Sequence, residues 1–310
     1  MKRIVISEFM DAAAVARLRE RFDVDYRPQL VDEPAALAQA LARADAWIVR
    51  NRTQVRGALL DAARRVRVVG RLGVGLDNID VAACEARGIR VIPATGANAE
   101  SVAEYVVATA LVLLRGAYFA TADVAAGKWP REALAGGREA GGKRMGIVGF
   151  GSIGRATARK AAALGMRVAG HDPLLPDDDP AWREAASEPR ALDALLAESD
   201  VVSLHLPLDE DTRGLLGAAR LARMKPGAVL VNTARGGIVD EAALASMLRE
   251  GRLAGAALDV FGAEPLPAGS VLAGAPNLIL TPHIAGLTVE SNERVSAFVA
   301  ERVAHALDEA

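Results

Sequence analysis

The 310-residue chain is short of cysteine, lysine, aromatic residues, long apolar runs and any excess of one charge, and each scarcity excludes something. Cys84 is the one cysteine, so no internal disulfide can form, which fits a reducing cytoplasm. It lies in VAACEARG, which reads as a helix ending at Gly88, so a small buried apolar role is expected rather than a nucleophile. The greasiest stretch, Tyr105–Leu114, is closed off by Glu104 and Arg115 and is too short for a membrane span. The opening MKRIVISEF meets Glu8 before a secretory core could develop. Lys+Arg number 37 against 39 Asp+Glu, a formal net charge of -2, which argues against nucleic acid as the main partner. Aromatics make up 4% while apolar residues reach 51%, so the core is aliphatic and disorder is excluded. Lysine occurs only at Lys2, Lys128, Lys143, Lys160 and Lys225, leaving positive charge to arginine, whose planar fork grips anions through two hydrogen bonds. Most of that bias reads as codon usage; only arginines at strand ends invite a functional reading.

What is present is rhythm. At about 150 residues per domain the length suggests two domains. Short apolar runs alternate with amphipathic stretches such as Asp11–Arg21 and Pro34–Arg43, which implies parallel sheets with helices on both faces. A first group of strands is expected at Ile4–Ser7, Val24–Tyr26, Ala46–Val49, Val66–Val69 and Ile89–Ile92. A second group of six is expected at Arg144–Val148, Arg167–Ala169, Val201–Leu204, Ala228–Asn232, Gly255–Asp259 and Leu278–Leu280, a full doubly wound domain. Long helices are expected over Ser101–Arg115 and Ser291–Leu307. The fold class is therefore α/β, with two doubly wound parallel-sheet domains. No solenoid repeat and no metal-ligand set is read.

Gly149-Phe150-Gly151-Ser152-Ile153-Gly154 has the form G-x-G-x-x-G, directly after one strand and opening a helix. Gly149 makes the turn tight, Gly151 lets the backbone approach a pyrophosphate, and Gly154 lets helix and strand pack closely. Free N–H groups of Ser152, Ile153 and the rest of the helix start then face the anion. About twenty residues on, Asp172 ends the next strand, where an acid accepts ribose hydroxyls and repels a 2′-phosphate. The cofactor expected is NAD rather than NADP. Three more segments fall at strand ends of the same domain: NTARGG with Thr233, Ala234 and Arg235, then DVFGAEP with Asp259 and Glu264, then TPHIAG with His283, Ala285 and Gly286. An arginine, a carboxylate and a histidine converge, the set needed to oxidise a 2-hydroxy acid: a base for the hydroxyl proton, an acid to tune it, and a guanidinium for the substrate carboxylate.

NTARGGIVDE, ALDVFGAEPL and LTPHIAG, in that order, resemble the D-isomer-specific 2-hydroxyacid dehydrogenases of the 3-phosphoglycerate dehydrogenase branch, and the resemblance spans essentially the whole chain. It implies a flavodoxin-like substrate domain over 1–97 and 286–310 and a Rossmann NAD-binding domain over 98–285. By the same resemblance Arg235 binds the carboxylate and keto oxygen, His283 is the general acid/base, and Glu264 hydrogen-bonds the imidazole and keeps it protonated for keto-acid reduction. Asp259 corresponds to a position near the nicotinamide carboxamide; His205 and Pro207 line the adenosine side. Thr233, Ala234, Ala285 and Gly286 fall in the cofactor-binding segments. On the substrate side, Gly73, Val74 and Gly75 offer backbone N–H groups to the substrate carboxylate, Arg50 faces the substrate's distal group, and Arg71 joins the strand-end arginines suited to a second anion. Arg52 belongs to the same strand-end group, with surface solvation an equal reading.

Within the branch, ISEFMDAAAV, RNRTQV and TPHIAGLTVESNERVS look most like bacterial sulfolactate dehydrogenases, which points to 3-sulfolactate or 3-phosphoglycerate, with glyoxylate or hydroxypyruvate reduction as the alternative. In 3-sulfolactate the sulfur-bearing carbon outranks the carboxyl, so its (S) label describes the arrangement of a D-hydroxy acid. The resemblance further implies that Ser291–Leu307 packs on the first domain, that hinges near Gly96–Asn98 and Ala285–Gly286 close the domains on substrate, and that Ser101–Arg115 and the segment with Trp129 form a homodimer. A C-terminal regulatory domain is not expected. The partner is thus a small anionic hydroxy or keto acid, with neither nucleic acid nor membrane, in the cytoplasm. A reading from another class, a non-catalytic NAD-sensing corepressor, predicts loss of the Arg235–Glu264–His283 set, which is intact; an NAD-dependent hydrolase of the adenosylhomocysteine type shares the two-domain plan without that set.

Overall fold

The structure is a computed structural model that describes residues 1–309. It divides into two compact units, Met1–Asn98 together with the segment from Leu287, and Ala99–Gly286. The first holds β1 (Arg3–Ile6), β2 (Asp23–Tyr26), β3 (Ala46–Val49), β4 (Val68–Arg71) and β5 (Arg90–Pro93), all parallel, in the order β2-β1-β3-β4-β5. β3, Ala-Trp-Ile-Val, is buried at every position, the continuous apolar run that a parallel strand covered on both faces requires. β4 begins two residues later than its apolar pattern predicts. Val66 is buried but belongs to a turn, its N–H donating to Ala63, whereas Gly70 and Arg71 pair with Ile92 and Pro93. Pairing, not hydrophobicity, sets that strand's ends.

The helix Ala12–Arg19 starts at Asp11, whose carboxylate accepts from the N–H groups of Ala13 and Ala14. Beside it lies the helix Val289–Glu309, whose Val295, Val299, Val303 and Leu307 recur every four residues and join the core under β1, β3 and β4. The helix runs close to β4: a Cβ on Gly70 would stand 2.7 Å from the γ-carbons of Val299 and Val303.

The second unit holds β6 (Arg144–Val148), β7 (Arg167–His171), β8 (Ser187–Pro189), β9 (Val201–Leu204), β10 (Val229–Asn232), β11 (Gly255–Leu258) and β12 (Leu278–Leu280), parallel in the order β12-β11-β10-β9-β6-β7-β8. β8, Ser-Glu-Pro, is a strand that the six-strand reading misses. It has no apolar alternation, and its proline is tolerated because the strand lies at the sheet's edge, paired with β7 alone. Strand order reverses between β6 and β9, and such a reversal opens a ligand crevice at the strands' carboxyl ends. The helix Ala99–Arg115, two residues longer at its start than its pattern predicts, buries Val102, Val106, Ala110 and Leu113 in one cluster with Met145, Ile147, Val229 and Val231. Among the described residues no single helix is long and apolar enough to cross a membrane. Cys84 is buried in the first unit, and that burial pushes its thiol up.

Candidate active site

The turn after β6 has the geometry its glycines require. Gly149 sits at φ 91°, and a Cβ there would meet the carbonyl oxygen of His205 at 2.4 Å. Gly154 lies against Gly149, whose oxygen a Cβ would approach to 2.2 Å. Gly151 differs: a Cβ there would meet nothing within 4 Å. The open space there leaves the backbone accessible to a pyrophosphate, as the second glycine of such a turn requires. Gly151 is also the N-cap of the helix Ser152–Ala163 and supplies no side-chain cap, so the first-turn N–H groups of Ser152, Ile153 and Gly154 point outward for an anion. A second sign is Thr233, whose hydroxyl is buried with no hydrogen-bond partner among the described residues. Buried polar atoms are rarely left so, and a bound cofactor is the kind of partner that satisfies one. These residues fit a dinucleotide.

Asp172, at the end of β7, is tied into this turn. Its Oδ2 accepts from the Phe150 N–H at 2.8 Å and its Oδ1 from Leu174 at 3.0 Å. Its negative charge is thereby held at the lip of the glycine turn. His205, after β9, meets the Ser203 hydroxyl through Nε2 at 2.9 Å, and burial lowers its pKa to about 3, so the imidazole is neutral near pH 7. Pro207 accepts from the Thr212 hydroxyl at 2.7 Å and is exposed.

Three neighbouring strands, β10, β11 and β12, deliver the candidate catalytic side chains. After β10, Asn232 folds the turn, its Oδ1 accepting from Ala234 N–H and its Nδ2 donating to the Arg235 carbonyl, both at 3.0 Å. Arg235 is half-buried and donates Nη1 to the Ala234 carbonyl at 2.6 Å. Gly236 packs directly on the segment after β11: a Cβ there would come within 1.7 Å of the Phe261 oxygen. In that segment Glu264 accepts from the Phe261 N–H at 3.0 Å and meets His283 Nδ1 at 2.8 Å. With a carboxylate as partner, Nδ1 carries a proton, which leaves Nε2 as the nitrogen that can gain or lose one. The His283 side chain is half-exposed, and its backbone stands at φ 55°, an uncommon conformation for a residue with a β-carbon.

Asp259, 1% exposed, holds that backbone in place. Its Oδ1 accepts from the Thr281 hydroxyl at 2.6 Å and the Ile284 N–H at 2.8 Å, and its Oδ2 from the Ala285 N–H at 2.8 Å. Thr281 also meets the Tyr105 hydroxyl at 2.6 Å, from the helix Ala99–Arg115, and burial pushes that phenol up. Gly286, expected in the cofactor segment, closes this unit. The sequence reading sees in Asp259 a neighbour of the cofactor and does not see the tether, nor Tyr105 and Thr281. The Thr-Pro-His spacing was the only local signal for them.

In the first unit a similar device operates at the ends of β1, β3 and β4. Glu8, 4% exposed, accepts from four consecutive backbone N–H groups, Arg50, Asn51, Arg52 and Thr53, at 2.8 to 3.3 Å. Buried Asn78 closes the turn from the other side, donating to the carbonyls of Thr53 and Arg50. Arg50 leaves this turn half-buried; its Nη2 donates to Asn292 Oδ1 at 2.6 Å and its Cζ stands 5.7 Å from the centre of the Phe9 ring. Burial lowers its pKa, opposed by the nearby Glu8 charge. Among the described residues no carboxylate lies within ion-pairing distance of its guanidinium. Arg52, two residues on, is exposed and paired with Asp32. Arg71 folds over its own loop, donating to the carbonyls of Gly75 at 2.9 Å and Leu72 at 2.7 Å. A Cβ on Gly73 would strike that guanidinium, so Arg71 braces the Gly73-Val74-Gly75 loop. The sequence reading gives Glu8, Asn78 and Asn292 no role in a site, because each acts on a turn far away in the chain.

Residues 107–285 match the family described as D-isomer specific 2-hydroxyacid dehydrogenase, NAD binding domain. The chain is 54% identical over 307 residues to an (S)-sulfolactate dehydrogenase of Chromohalobacter salexigens, covering 99% of both. It is 40% identical over 306 residues to D-3-phosphoglycerate dehydrogenase 2 of Arabidopsis thaliana, covering 98% of this chain and 48% of that one, so it spans about half of the plant protein. Among solved structures it superposes on a D-lactate dehydrogenase of Aquifex aeolicus complexed with NAD and lactic acid, with a TM-score of 0.82 and 28% identity, covering 99% of this chain and 96% of that one.

Proposed function

The chain belongs to the D-isomer specific 2-hydroxyacid dehydrogenases, and from that premise we propose that its substrate is a small 2-hydroxy acid with a second anionic group, 3-sulfolactate ahead of 3-phosphoglycerate. It is an NAD-dependent oxidoreductase that interconverts a 2-hydroxy acid and its 2-keto acid. NAD, when bound, supplies the acceptor or donor of the hydride. Gly149–Gly154 and the helix they open would hold its pyrophosphate, and Asp172 its ribose.

The residues' chemistry follows from their contacts. His283, fixed through Nδ1 by Glu264, would take the substrate's hydroxyl proton on Nε2 during oxidation and return it to the keto oxygen in reduction. Arg235 would hold the substrate carboxylate and polarise the C–O bond. Gly73, Val74 and Gly75, braced by Arg71, would offer N–H groups to the same carboxylate. We assign NAD binding to residues 98–285 and substrate binding to 1–97 with 286–310. The protein is further proposed to act in the cytoplasm as a homodimer; its lone buried cysteine and the exposed Tyr118, Phe119, Val124 and Trp129 support this.

The observation that carries the second anion is Arg50: a half-buried guanidinium at the end of a strand, with no carboxylate within ion-pairing distance among the described residues. A charge so placed is costly unless an anion meets it. Arg50→Ala is expected to raise KM for 3-sulfolactate by about 100-fold and for D-lactate by only a few-fold, with Arg52→Ala close to wild type for both. Initial rates followed at the NADH absorbance decide it. Equal losses on both acids with Arg50→Ala would overturn the second-anion reading.

A further inference from the structure

What holds an arginine decides how much of its charge is left for a ligand. Arg27 donates to both oxygens of Asp25, Arg87 to Asp61 and Arg52 to Asp32; each is neutralised by a carboxylate of this chain. Arg50 is held differently. Its contacts come from Asn292 in the first turn of the helix Val289–Glu309, from the face of the Phe9 ring, and from Glu8 beneath its backbone. Glu8 spends its oxygens on four backbone N–H groups. An amide fixes a guanidinium in direction without cancelling its charge, and an aromatic face does the same through its quadrupole.

The amide's orientation follows from its partner. Because guanidinium nitrogens only donate, the atom of Asn292 facing Arg50 is the carbonyl oxygen, and Nδ2 is turned the other way as a donor. Among the described residues nothing accepts from it. Arg50 and Asn292 together therefore present N–H groups of one positive and one neutral side chain, a set matched to the several acceptor oxygens of a tetrahedral sulfonate or phosphate.

We propose that Asn292 is the positioning residue that sets specificity for the substrate's second anion: its Oδ1 aims the Arg50 guanidinium while leaving the charge available, and its Nδ2 adds a neutral donor beside it. The assignment rests on the reading of Arg50 given above. A carboxylate at position 292 would keep the aim and remove the charge, so the neutrality of this side chain carries the selection.

The test compares kcat/KM for 3-sulfolactate and 3-phosphoglycerate with that for D-lactate and D-glycerate, in wild type, Asn292→Asp, Asn292→Ala and Arg50→Ala. In Asn292→Asp the dianion-to-monoanion ratio is expected to fall roughly 30-fold, through KM more than kcat. Asn292→Ala, which adds no charge, should lower the ratio less, about fivefold, and serves if the aspartate variant does not fold. A ratio unchanged in both Asn292 variants while Arg50→Ala collapses it would overturn this inference and leave the second-anion reading standing. A ratio unchanged in Arg50→Ala would overturn both. A purely structural role for Asn292 would lower all four substrates alike, which also overturns the proposal.

Discussion

The loop that carries His283 and the turn that carries Arg50 are built on the same plan, yet they give their key side chains opposite partners. Each hangs on a buried carboxylate at a strand's end: Asp259 takes Thr281, Ile284 and Ala285, and Glu8 takes the N–H groups of residues 50–53. The carboxylates cost little to bury because backbone donors satisfy them. The side chains they position then diverge. His283 meets an acid, Glu264, which fixes its proton on Nδ1 and so orients the ring; Arg50 meets an amide, Asn292, which leaves its charge intact. A proton carrier gains from a charged neighbour, whereas an anion holder gains from a neutral one.

The comparison can be broken at several points. The largest effect is expected at the proposed proton carrier: His283→Ala should lower kcat by about 10³-fold while leaving NADH binding, followed by fluorescence, near wild type. A loss below tenfold would remove His283 from proton transfer. Next come the two tethers. Asp259→Asn and Glu8→Gln each weaken charged hydrogen bonds to buried donors and should each lower stability by about 2 kcal/mol in urea unfolding. Their kinetic signatures should differ: Asp259→Asn acts on kcat by loosening His283, and Glu8→Gln on KM for the doubly charged acid by loosening Arg50. Identical signatures would mean that the tethers are scaffolding alone.

Near neutral pH the smallest effect belongs to His205, whose contribution emerges only on acidification. Its pKa is lowered to about 3 by burial, so between pH 6.5 and 3 the unfolded chain binds a proton that the folded chain refuses. Stability contributed here is full above pH 6.5 and is lost as pH falls toward 3, by at most about 1.4 kcal/mol per pH unit. His205→Asn should flatten that acid-side decline in a series of melts between pH 4 and 7. An unchanged slope would mean that the imidazole is not shielded from water.

Much of this was legible in the residues. Strand centres such as Ala46–Val49 and Arg144–Val148 announced themselves, because a strand buried on both faces must be apolar throughout. So did the glycine turn, whose Gly149 and Gly154 are dictated by approaches under 2.5 Å. Strand ends were less visible, since Gly70 and Arg71 pair like strand residues without being apolar, and β8 has no apolar pattern at all. The supporting residues were hidden. Glu8 acts 42 to 45 positions away and Asn292 acts 242 positions away, and no periodicity records a contact at that separation.

The absent side chain of Gly70 has a consequence in time. The slot it leaves along β4 is filled by Val299 and Val303, which the ribosome adds only after the whole of Ala99–Gly286 has been made. During synthesis the second unit therefore has its complete sequence while the first unit still lacks the side chains that fill this slot. Arg50, translated early, stays without its amide for more than two hundred further residues. The unit begun first is the one completed last.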